Sequence, residues 1–166
     1  MVDERAVILR LGLALLLGSV LGLERELRGQ AAGLRTHLLV SLGACLFTMT
    51  GLVAGQELQG SSGVQADVTR IASQVVVGIG FLGGGAILRH GTSIHGLTTA
   101  ANLWLTASVG LACGLGFFLG AAVTVAFALL VLVGLRPVER LLARLSARHG
   151  ITSDSKPHPP PPSPPR

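Results

Sequence analysis

The residues GIGFLGGGAILRHG (Gly78–Gly91) and GLTTAANLWLTASVGLACG (Gly96–Gly114) decide the fold. They are apolar enough to sit in lipid, yet ten of the chain's 23 glycines fall between Gly78 and Gly116. Threonines, an asparagine and the one tryptophan are interleaved with them. A segment that only anchors a protein is mostly Leu, Ile and Val. Dense glycine instead lets helix backbones approach closely, so that Thr and Asn side chains bond across the gap. The pattern predicts a tightly packed membrane bundle with a polar internal face.

Composition agrees. Of 166 residues, 49% are hydrophobic and only 13% charged, and the mean hydropathy is +0.65. These values place the chain among integral membrane proteins, with room for one small bundle and no soluble catalytic domain beside it. The net charge of +5 argues for membrane orientation rather than nucleic acid, because the basic residues lie in short loops and a tail. Cys45 and Cys113 sit in apolar runs without CxxC or Cys/His neighbours, which predicts buried, reduced thiols.

Five apolar spans are expected, at residues 6–23, 37–54, 70–88, 97–114 and 117–135, so that residues 1–135 form the transmembrane domain of an all-α, polytopic protein. The first span runs into Glu24-Arg25-Glu26 with no small-residue cleavage site and is read as a retained helix. Arg89–His95 is expected to be a short turn. Residues 136–150 read as a basic amphipathic helix on the membrane surface, with Val138, Leu141, Leu142 and Leu145 on one face and Arg140, Arg144 and Arg148 on another. Residues 151–166, ending in PHPPPPSPPR, read as a disordered proline-rich tail. Counting Lys and Arg, ten fall on the side of Arg25, Arg28, Arg35, Arg89 and the C-terminal region, against Arg5, Arg10 and Arg70 on the other. The positive-inside rule then puts the N-terminus outside and the C-terminus in the cytoplasm.

Within the spans, G-x-x-x-G recurs at Gly18/Gly22, Gly51/Gly55, Gly80/Gly84, Gly110/Gly114 and Gly116/Gly120. Packing within one chain accounts for most of these, and at least one face is open to pairing two copies as a homo-oligomer. Thr98, Asn102 and Thr106 share one face of the fourth helix, with Thr99 close by and Trp104 pointing nearly the opposite way. Because lipid offers a carboxamide no partner, this face is expected to meet the first or third helix, or a hydrated cytoplasmic cleft. Glu24 and Arg28 form an i, i+4 pair, and Arg35, His37 and His95 lie at the same boundary. Asp67, Arg70 and Gln74 mark the other side. Arg10 is the basic residue deepest in an apolar run and is expected to snorkel outward.

The stretches GSVLGLERE (Gly18–Glu26), AGLRTHLLVSLGA (Ala32–Ala44), DVTRIASQVVVGIGFLGGGAIL (Asp67–Leu88) and GLTTAANLWLTASVGLACGLG (Gly96–Gly116) resemble the MgtC/SapB family of bacterial inner-membrane proteins. The resemblance covers roughly residues 6–135, with several long motifs in order. It implies a five-helix bundle in the bacterial plasma membrane, an association with magnesium limitation and pathogen survival in hosts, and action through membrane partners that include the F-type ATP synthase. By the same likeness Glu24, Arg25, Arg35, Thr36, Asp67, Arg70, Gln74, Thr98, Thr99 and Trp104 occupy family motif positions, to which the polar face adds Asn102. Longer members often carry Asn in place of Thr98 and end in an ACT-like domain, so this chain resembles the short, SapB-like branch.

Two functions follow. Magnesium takes oxygen ligands, usually one or two carboxylates, while keeping several waters. No carboxylate of this chain falls at mid-membrane, whereas carbonyls around Gly83–Gly85 offer a path of the kind channels use. The leading reading is a non-enzymatic regulator or accessory membrane protein without a cofactor. The alternative is a magnesium or other cation transporter. No nucleophile–base pair or metal triad is visible to support an enzyme.

Overall fold

The computed structural model describes residues 3–58, 68–90 and 93–148. In chain order these form α1 (Glu4–Leu27), α2 (Leu34–Leu58), α3 (Val68–Ala86), β1 (Leu88–His90), β2 (Ser93–His95), α4 (Leu97–Leu115), α5 (Phe118–Leu129) and α6 (Arg136–Arg148), with a π-helical turn at Leu130–Gly134. The chain divides into two compact units, Met1–Leu130 and Val131–Arg166.

The first unit is an all-α membrane bundle with one small hairpin. Among the described residues of the chain as a whole, Glu4–Leu27, Leu34–Gly55 and Phe118–Val138 are each long and apolar enough to cross a membrane, and Ala72–Ala86 is a shorter apolar helix. The 19 residues of α4 span about 28 Å at 1.5 Å per residue, close to the hydrocarbon thickness. Its Asn and Thr residues lower its hydropathy, and its surroundings explain why that is tolerated. Thr99, Asn102, Thr106, Gly110 and Gly114 are all buried against protein.

Local chemistry sets the helix ends. The Asp3 side chain caps α1 by accepting from the Arg5 N–H at 3.1 Å. The helix then continues past Leu23 through the charged Glu24–Glu26 segment to Leu27, further than the apolar run alone indicated. Glu26 reaches across the next turn and accepts the Leu34 N–H at 2.9 Å, so a carboxylate from α1 satisfies an orphan donor at the start of α2. Gly116 ends α4 in the left-handed conformation, φ +83°, with its N–H directed to the carbonyls of Ala112 and Cys113. The Phe117 N–H also returns to Ala112 O at 2.8 Å. A side chain at Gly116 would strain this reversal, which is what permits the tight passage into α5.

α2 lies between α1 and α4, and glycine makes that possible. A Cβ on Gly18 would stand 2.8 Å from Ser41 Cβ, and one on Gly22 would stand 2.8 Å from Leu34 Cα and 2.9 Å from His37 Cβ. From the other side, a Cβ on Gly110 would strike the Ser41 carbonyl, and one on Gly114 would lie 2.6 Å from Thr48 Cβ. The spacings Gly18/Gly22 and Gly110/Gly114 are therefore two close-approach faces gripping one helix. Apolar packing completes the unit, with Ala14, Leu21, Cys45, Val109, Cys113 and Val125 in its main core.

Two expectations are corrected. Gly80 and Gly84 do not mark a helix contact within the described residues, since a Cβ at either meets nothing within 4 Å. On α3 it is Gly83 that packs, against Ala100. Arg89–His95 is not a bare turn, because β1 and β2 pair antiparallel with Arg89 opposite Ile94. Two others gain detail. Arg10 reaches a specific acceptor: its Nη1 donates to the Gly114 carbonyl at 2.7 Å, giving the carbonyl end of α4 a cation. The fifth span is long and apolar enough to cross a membrane and contains the π-helical turn.

In the second unit, α6 leaves Val138, Leu141, Leu142 and Leu145 about half exposed. Arg136 Nε donates to the Leu132 carbonyl at 3.2 Å.

Candidate functional site

A seam of buried polar side chains runs through the contact of α1, α2 and α4. His37, Ser41 and Thr48 follow one face of α2 at i, i+4 and i+11, and all three are essentially inaccessible. His37 lies in the first turn of α2, held against Gly22 of α1. Its Nδ1 is 2.8 Å from the Gly33 carbonyl, and its Nε2 is 3.0 Å from Asn102 Nδ2 on α4. A carbonyl can only accept, so Nδ1 carries the proton. The Asn102 amide nitrogen can only donate, so Nε2 accepts, and the ring is the neutral Nδ1–H tautomer.

The bonding continues along both neighbouring helices. Thr106 Oγ1 donates to the Asn102 backbone carbonyl at 2.8 Å. Ser41 Oγ crosses to α1 and donates to the Ala14 carbonyl at 2.8 Å. Thr48 Oγ1 turns back on its own helix to Ala44 O, also at 2.8 Å. Each interhelical hydrogen bond in a membrane contributes on the order of 0.6 kcal/mol. Their larger effect is on register, because sliding α2 by one turn would break the His37–Asn102 and Ser41–Ala14 bonds.

At one end of the seam lies an ionic cluster. Arg25 is only 3% exposed, and its Nε pairs with the Glu24 carboxylate. Glu24 also pairs with Arg28 through its other oxygen. One carboxylate thus joins two guanidinium groups, and Glu24 and Arg25 are near enough to His37 to act on it through space. Removing Glu24 would leave a buried cation uncompensated, a costly state.

Of the sequence-predicted site residues, the fold brings Glu24, Arg25, Thr99 and Asn102 into or beside this interior. It leaves others outside. Thr98 is exposed at the start of α4 rather than facing the bundle, and Arg35 is exposed. Trp104 is half exposed, on the side away from Asn102. Thr36 lines a separate cavity of about 630 Å³ with Ala32, Phe81 and Leu103, while Arg70 and Gln74 line a groove beside α3. Asp67 lies outside the described residues. The partner of Asn102 is also not on the first or third helix, as expected, but on the second. His37, Asn102 and Thr106 are at most 4% exposed, so of the two surroundings expected for Asn102, protein and a hydrated cleft, it has protein. Sequence reasoning treated His37 as a boundary charge and passed over Ser41 and Thr48. The available signal was their helical spacing opposite two G-x-x-x-G pairs.

Comparison with known proteins gives a consistent result. The sequence profile described as the MgtC family matches residues 11–141. The chain is 43% identical over 138 residues to "Protein MgtC" of Brucella abortus, covering 82% of this chain and 54% of that protein. It is 42% identical over 135 residues to "Uncharacterized protein slr0014" of Synechocystis, covering 81% and 54%. It is 43% identical over 111 residues to "Putative magnesium transporter YhiD" of Escherichia coli K12, covering 67% and 52%. The chain therefore spans about half the length of the curated relatives it matches. No solved structure matches.

Proposed function

The chain belongs to the MgtC family, and from that premise we propose that it is a non-enzymatic regulator or accessory protein of magnesium homeostasis, multi-pass in the plasma membrane. Its N-terminus faces outward, its C-terminus faces the cytoplasm, and it acts through other membrane proteins. The arginine asymmetry supports that orientation. An F-type ATP synthase is the partner that the family resemblance suggests.

The observation that carries the regulator reading is the closure of the polar seam. A permeating cation must exchange water for oxygen ligands along its route. Here His37, Ser41, Asn102 and Thr106 are at most 4% exposed, and His37 with Asn102, and Ser41 with Ala14, bond from one helix to another. Such groups fix helix positions, and a protein with fixed helices presents a defined surface to a partner. The magnesium transport in the name of the Escherichia coli relative favours a second reading, cation transport. Crosslinking in intact membranes followed by purification of the full chain tests between them. The regulator reading expects one membrane protein recovered in constant ratio to this chain and lost with Asn102→Leu. Recovery of the chain alone, together with magnesium flux, would replace it by the transporter reading.

A further inference from the structure

Away from the seam, α2 and α3 leave an open groove between them with a volume of about 600 Å³. Ala44, Ile79 and Ala107 form its floor. Leu39, Phe47 and Leu82 form its rim and are more than half exposed. Gly43 and Gly78 put no side chain into it, and a Cβ at either would meet nothing within 4 Å. The lining is apolar except at one end, where Arg70 and Gln74 stand one turn apart on α3. We propose that this groove holds one acyl chain of an anionic phospholipid, with the lipid phosphate at Arg70.

Its length matches one leaflet. Arg70 and Leu82 are twelve residue steps apart on α3, or about 18 Å at 1.5 Å per step, close to the ~15 Å half-thickness of a hydrocarbon core. An acyl chain of one leaflet has that reach, with its headgroup at the Arg70 end of the groove.

The charge is complementary as well. A guanidinium offers a planar pair of donors to phosphate oxygens, and an Arg at the end of a one-leaflet apolar groove lies at headgroup depth. Gln74 adds an amide donor one turn along. A headgroup carrying a net negative charge matches the single cation better than a zwitterionic one, whose own cation competes for the phosphate. This inference does not depend on whether the protein regulates or transports.

Native mass spectrometry of the full chain in detergent, titrated with phosphatidylglycerol or phosphatidylcholine, tests it. The expected result is one retained phosphatidylglycerol in preference to phosphatidylcholine, with affinity reduced about tenfold by Arg70→Gln, the scale of one charge-assisted contact. Gly78→Leu fills the groove and should abolish retention, while Gly12→Leu adds the same bulk at another open site and should not. Equal retention in the two glycine variants, or no effect of Arg70→Gln, overturns the proposal. A two-chain species that excludes lipid and vanishes with Gly78→Leu also overturns it, by showing that a second copy covers the groove.

Discussion

The Nε2 of His37, on the second helix, accepts a hydrogen bond from the Asn102 side chain on the fourth, 65 residues away in sequence, at 3.0 Å. With Nδ1 donating to Gly33 O, the imidazole has no free nitrogen. Two helices that never adjoin in sequence are thereby tied at one depth. The ionic cluster of Glu24, Arg25 and Arg28 stands on the first helix beside them.

This tie predicts a measurable coupling. His37→Leu and Asn102→Leu should each lower stability in detergent, and the double variant should lose less than the sum. A double-mutant cycle is expected to give about 0.6 kcal/mol and no more than ~1.7 kcal/mol. Strict additivity in thermal or denaturant unfolding would show that the two side chains do not interact.

The glycines divide into two classes. Leu at Gly18, Gly22, Gly110 or Gly114 should prevent assembly of a monodisperse protein, because each added Cβ meets α2 backbone or a Cβ there. Leu at Gly80 or Gly84 should leave the monomer as stable as Leu at the exposed Val123. Size-exclusion profiles of the six glycine variants check this. Comparable damage at Gly80 and Gly18 would contradict the arrangement.

Arg10 supplies a third test. Arg10→Gln removes a cation from the Gly114 carbonyl and should destabilise by about 1.5–3 kcal/mol, the range for hydrogen bonds to charged groups. Arg10→Lys should recover part of that loss. The midpoint of thermal unfolding in a fixed detergent reports both, and an unchanged midpoint in Arg10→Gln would refute the capping role.

Topology can be read independently. Reporter fusions after Gly60 and after Ser155 should lie on opposite sides of the membrane, outside and cytoplasmic respectively. The same side for both would exclude five spans.

Much of the fold was legible because the relevant signals are local. Apolar runs of membrane length mark the helices, and Asn102 among small residues marks a face that lipid cannot satisfy. The missing parts depended on partners distant in sequence. Gly80/Gly84 and Gly18/Gly22 have the same spacing, and only tertiary packing decides which pair meets another backbone. The start of α2 at Leu34 depends on a carboxylate, Glu26, from the preceding helix, so His37 looked like a boundary residue when it lies inside the bundle. The sequence marks Arg10 as a snorkelling cation without naming its acceptor, Gly114, because that residue is 104 positions away. Thr98 shares the helical face of Asn102, yet it sits in the first turn of α4, where the bundle no longer covers it.

We propose that the buried polar seam holds helices for a regulatory surface and does not conduct ions. The deciding measurement is magnesium flux into sealed liposomes bearing the purified, folded full chain, with the Asn102→Leu variant alongside. A seam that only holds helices gives no flux above protein-free liposomes for either protein. Magnesium-selective flux through the native chain that disappears with Asn102→Leu would overturn the proposal.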